Sequence, residues 1–130
     1  MNKAFTKTIQ VQEDDLDDLN HVNNVRYLQW IQDIAKEHWK EKAPKAIFDT
    51  SIWVVKSHFI EYKKEALLND VIEVKTYIDK TKGAVSIRIV EMTNAKTKEL
   101  ILNSKTEWVL IDASSQRPIR ITDTIIDIFK

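Results

Sequence analysis

Asp17 and His21 stand four residues apart in the run DLDDLNHVNNVRYLQW, which spans residues 15–30. A carboxylate can activate a water or attack as a nucleophile, and a neighbouring histidine can orient the substrate or that water. Either reaction needs donors aimed at an oxygen that becomes negative. From Asn20 the side chains recur at helical spacing, so Asn20 is expected to N-cap a helix, with the backbone N–H groups of His21, Val22 or Asn23 facing an anion or a polarised carbonyl. Asn23 and Asn24 are poor helix formers placed where a cap or a partner for a substrate amide is wanted; Asn24 is favoured as site-lining and Asn23 as structural. The bland alternative for Asp17 is a solvated loop acid, and for His21 a residue that packs where the helix begins. An EF-hand calcium loop is excluded, because a loop counted from Asp15 has Asn20 where that turn needs Gly and Arg26 where it needs Glu.

These side chains must be held by the elements around them. Residues 5–11 alternate with Phe5, Ile9 and Val11 on one side, as a half-buried strand does. Val22, Val25, Leu28, Ile31, Ala35 and Trp39, flanked by Tyr27, Ile34 and His38, form a wide apolar helical stripe. Pro44 stops that helix, so it should end near Lys42. Residues 45–50 read as a connection, and residues 51–62 as a long strand rich in β-branched and aromatic residues. Residues 71–78 and 84–92 alternate on either side of a hairpin, and residues 100–111 supply a further strand through Thr106, Trp108 and Leu110. Residues 112–118 read as loop, and residues 119–129 do not declare a type. The order predicts an α+β domain over residues 1–130, with a largely antiparallel sheet packed against one helix.

Composition removes several classes of function. The 130 residues carry 20 basic and 20 acidic side chains, so no net field points to nucleic acid or an anionic membrane. No cysteine is present, which excludes disulfides, thiolate catalysis and cysteine-based zinc sites. A single glycine, Gly83, rules out glycine-rich phosphate loops and dinucleotide fingerprints. With no apolar run of membrane-span length and no signal-like start, the expected location is cytoplasmic.

The pattern Asp15, Asp17, His21, Val22, Asn23, Asn24 and Tyr27 resembles the DxDxx(G/N)HVNNxxY signature of hotdog-fold acyl thioesterases. These are the enzymes typified by 4-hydroxybenzoyl-CoA thioesterase and, closest in wording, the plant acyl-ACP thioesterases and their bacterial relatives. A second segment, Glu61-Tyr62-Lys63-Lys64-Glu65 with Asp70 following, is similar to their EYRRE stretch. The resemblance implies a hotdog fold, in which the antiparallel sheet wraps one long central helix and two subunits complete each acyl site. It implies acyl-CoA or acyl carrier protein as substrate, no cofactor or metal, and a homodimer or homotetramer. It makes Asp17, His21 and Glu65 the catalytic set, with Val22, Asn23, Asn24 and Tyr27 contacting substrate. Two departures stand out: Leu19 replaces the plant enzymes' asparagine, and Ala66 replaces their cysteine. Both count against a networked Asp-Asn-His-Glu mechanism, whereas a simpler one of carboxylate plus helix terminus loses nothing by them.

Three other readings remain open at this level. A hotdog can bind acyl groups without catalysis, because a fold alone does not carry activity. A dehydratase or hydratase also uses histidine and carboxylate beside a helix start. An acidic loop alone could recruit a basic partner. Tyr27, Trp30, Ile31 and Trp53 are read either as acyl-channel lining or as core. Lys63, Lys64, Lys80 and Lys82 are read either as phosphate contacts or as solvated lysines.

Overall fold

The computed structural model describes residues 2–130. A strand β1 (Phe5–Gln10) leads through a single 3-10 turn (Glu13–Asp15) to the long helix α1 (Asn24–Lys42). A short helix α2 (Lys45–Thr50) follows, then strands β2 (Ser51–Tyr62), β3 (Val71–Lys82), β4 (Val85–Asn94) and β5 (Leu100–Asp112), and a final short helix α3 (Asp123–Ile128). All strand pairs are antiparallel, in the order β1-β3-β4-β5-β2. The sheet curls around α1, and this α+β hotdog arrangement is the one expected. No described helix is long and apolar enough to cross a membrane.

Local chemistry explains most boundaries. α1 ends at Lys42, where Ala43 adopts extended geometry ahead of Pro44. β3 and β4 run further than expected and meet in a tight turn, whose Gly83 takes a φ of 62° that side chains disfavour. One expectation fails, and one untyped stretch takes a definite form. Residues 45–50 form a helical turn and a half begun by Pro44, whose fixed φ suits a helix start. Within 119–129, Thr122 caps α3 by accepting from the Ile125 amide.

The inner face of the sheet carries two apolar clusters. One gathers Val11, Tyr27, Ile31, Ile34, Val74, Met92 and Leu102 under the first half of α1. The other gathers Trp39, Ile78, Leu110, Ile121, Ile125 and Phe129 under its far end. Between them the inward positions are polar: His58 pairs with Thr106, and Thr106 with Arg88, on adjacent strands. Arg88 then reaches Thr76 and His38. A polar seam therefore crosses the sheet beneath the helix.

Candidate active site

The helix begins three residues later than its apolar pattern suggests. Asn23, not Asn20, is the N-cap, and its side chain accepts from the Val25 amide at 2.9 Å. Asn20 instead sits at a φ of 61°, a left-handed conformation that asparagine tolerates. It turns the chain so that Leu16 pairs antiparallel with Val22, and the Asp17 N–H donates to the His21 carbonyl at 2.7 Å. The spacing of four thus places Asp17 opposite His21 across a tight turn.

That turn engages one oxygen of the Asp17 carboxylate. Oδ1 accepts from the amides of Leu19 (2.9 Å) and His21 (3.1 Å), while Oδ2 has no partner among the described residues. The half-buried His21 ring has none either. Asp15, by contrast, is buried and structural. Its carboxylate accepts from the Gln12 amide and pairs with Arg26 at 3.1 Å, fastening the acidic loop to α1.

The expected oxyanion donors are already committed. His21 N–H donates to Asp17, Val22 N–H to the Ala66 carbonyl, and Asn23 N–H to the Asp15 carbonyl. The physical reason is that His21 and Val22 belong to a small hairpin and not to the helix: the Asp17 carboxylate takes the first amide and backbone pairing with Ala66 takes the second. The open donor is one residue further on. Asn24 N–H, in the first turn of α1, has no acceptor among the described residues, and the Asn24 side chain is exposed beside it.

The second sequence motif is brought to the first. Ala66 is fully buried, accepts from Val22 and donates to the Tyr27 hydroxyl oxygen at 3.1 Å, and Leu67 pairs with His21. Glu65, directly before this clamp, is exposed and without a hydrogen-bond partner among the described residues. Asp70 closes the turn by accepting from the Leu67 amide. Val22 and Tyr27, expected to contact substrate, are buried in the first apolar cluster. Burial raises the Tyr27 phenol pKa, so it stays protonated. Trp30 and Ile31 belong to the same cluster, whereas Trp53 lines a cavity elsewhere. Lys63 and Lys64 pair with Glu61 and Glu99 on the surface.

An apolar cavity of about 390 Å³ lies away from this turn, under the far half of α1. Its walls include Ala35, Trp39, Phe48, Trp53, Ile78, Trp108 and Phe129, and its polar residues include Ser86 and Arg88. Arg88 belongs to neither sequence motif. The signal was present, because Ser86 and Arg88 share the inward phase of Val90 and Met92 in β4.

Comparison with known proteins gives a consistent picture. Residues 2–129 match the family model described as acyl-ACP thioesterase N-terminal domain. No curated protein matches the sequence. Among solved structures, the probable thioesterase YbaW from Escherichia coli is 20% identical with a TM-score of 0.86, over 95% of this chain and 94% of its own. A 1,4-dihydroxy-2-naphthoyl-CoA thioesterase from Synechocystis is 16% identical with a TM-score of 0.83, over 98% and 96%. The 12:0-ACP thioesterase from Umbellularia californica is 16% identical with a TM-score of 0.83, over 98% of this chain and 51% of its own. At such identities the likeness is one of fold.

Proposed function

Because the chain belongs to the acyl-ACP thioesterase N-terminal domain family and is a hydrolase of acyl-CoA or acyl-ACP thioesters, we propose that Asp17 is its base or nucleophile, assisted by His21 and Glu65. The observation that carries this reading is the state of the Asp17 carboxylate, one oxygen anchored by two amides and the other unengaged. Such anchoring fixes the direction of the reactive oxygen before substrate arrives.

As general base, Asp17 Oδ2 takes a proton from water while the water oxygen bonds to the thioester carbon. The carbonyl π electrons move onto oxygen, and Asn24 N–H at the helix terminus stabilises that charge. The tetrahedral adduct then expels the thiolate, the C–S bond breaks, and the proton held by Asp17 passes to sulfur. Free acid and thiol leave. His21, facing Asp17 across the turn, orients the water, and Glu65 offers a second carboxylate from the clamped loop. Val22, Asn23 and Tyr27 serve substrate binding by holding the backbone that presents Asn24 and Glu65.

The reading extends to a homo-oligomer. β2 is an edge strand of twelve residues, and its outer face exposes Ile52, Val54 and Phe59, the last at 65%. A long edge with apolar neighbours is suited to pairing with a second copy.

Thiol release from short, long and aromatic acyl-CoAs and from acyl-ACP tests the mechanism. Asp17→Asn is expected to lower kcat at least about a hundredfold, the range for loss of a general base. A mutant that retains wild-type turnover on every substrate refutes the role of Asp17.

A further inference from the structure

Arg88 is a guanidinium in the core without a carboxylate. It is 4% exposed, and no acid pairs with it among the described residues. One of its terminal nitrogens, Nη1, donates to Thr76 Oγ1 and to His38 Nδ1, both at 3.0 Å. The other, Nη2, and Nε have no acceptor among the described residues, although buried charges are normally paired. His38 cannot supply the missing negative charge, because burial first and Arg88 second hold its pKa down to about 4, leaving a neutral imidazole. Phe129 lies against the guanidinium at 5.4 Å from its ring centre, which eases but does not neutralise the charge.

The surroundings of Arg88 complete a site. It lines the 390 Å³ cavity, which is within the size range of small-molecule pockets. Ser86, also buried, lines the same cavity, and its hydroxyl has no hydrogen-bond partner among the described residues. Trp108, a third wall residue, contributes ring surface, its indole N–H being closed off from the cavity. The remaining walls are apolar, with Trp39 and Trp53 packed edge to face at 5.5 Å and the half-exposed Phe48 and Ile52 at the mouth. Lys36 and Lys40 on α1 add positive charge to the rim. Unmet donors at the inner end and an apolar passage outward call for a ligand with a carboxylate head and an apolar body.

We propose that this cavity binds a free apolar carboxylic acid, with its carboxylate on Arg88 and its chain running along the Trp39–Trp53 pair toward the surface. The site is separate from the thioester turn. It begins near Ala35, roughly 16 Å along α1 from Asn24, and Trp30, Ile31 and Ile34 are packed between the two. A free acid is also the chemical class that thioester hydrolysis releases, so the cavity is placed to hold product. That link to product rests on the hydrolase reading, whereas the binding itself does not.

Trp39, Trp53 and Trp108 make the cavity its own reporter. Decanoate and decanol are titrated into the full chain while tryptophan fluorescence is followed. Decanoate is expected to bind roughly ten- to a hundredfold more tightly than decanol, the ratio a charge-assisted hydrogen bond supplies. Arg88→Met should bind both alike, and Ser86→Leu, which fills the cavity while keeping the charge, should bind neither. Equal binding of acid and alcohol by the wild type overturns the proposal, as does an unchanged acid preference in Arg88→Met. If Arg88→Met does not fold, Ser86→Leu with undiminished decanoate binding overturns it equally. One further outcome redirects it: if free decanoate shows no preference but Arg88→Met raises KM only for an ω-carboxyacyl-CoA, the carboxylate belongs to the substrate and the free-acid assignment fails. Inactivity toward every thioester would leave the fluorescence result standing.

Discussion

The buried Ala66 amide donates to the Tyr27 hydroxyl and to no other group among the described residues, so Tyr27→Phe removes a bond that water cannot replace. The cost is expected to be about 1–3 kcal/mol, the penalty for stranding a buried donor, and urea denaturation measures it. Because Ala66 also accepts from Val22 and adjoins Glu65, the same change should lower kcat more than it raises KM. His38 makes a different prediction. Its pKa falls from 6.5 in the unfolded chain to about 4 in the fold, so between those values the unfolded chain binds the extra proton. The stability contributed by neutral His38 is therefore complete above pH 6.5 and lost as pH falls toward 4. Denaturation midpoints should drop across that window, and less steeply in His38→Gln, which keeps an acceptor for Arg88.

The start of α1 decides where the donors of the site lie. Asn23→Ala should cost about 1 kcal/mol through loss of the cap, whereas Asn20→Gly should leave stability nearly unchanged, since glycine accepts the φ of 61°. Thermal melts of the two variants distinguish this start from one at Asn20. The far end of the helix was legible because Pro44 acts locally on its neighbour. The near end was not, because the pairing of His21 with Leu67 and of Val22 with Ala66 involves residues over forty positions away. β2 was legible to the residue, since twelve β-branched, aromatic and polar positions leave no helical reading. α2 and α3, six residues each, are too short for an apolar period to declare itself. Asp17 and Glu65 were legible as motif members. The open amide at Asn24 and the inward Arg88 required knowing which backbone groups pair and which face of β4 is covered.

The assembled molecule should be larger than one chain. Light scattering after size-exclusion chromatography is expected to give a multiple of the 15.2 kDa subunit, and Val54→Lys with Phe59→Lys should shift it toward monomer. A monomeric wild type at tens of micromolar would remove the edge-pairing proposal. Within each subunit, the polar seam of His58, Thr106, Arg88 and Thr76 separates the apolar mass under the start of α1 from that under its end. Apolar contact is what makes unfolding cooperative, and a seam of hydrogen bonds transmits it less well. Native-state hydrogen exchange should therefore resolve two cooperative units. The amides of α3 and the last turns of α1 exchange through a partial opening that leaves the β3–β4 amides opposite Tyr27 and Ile31 protected. The molecule can thus loosen around its cavity while the turn that carries Asp17 stays in place.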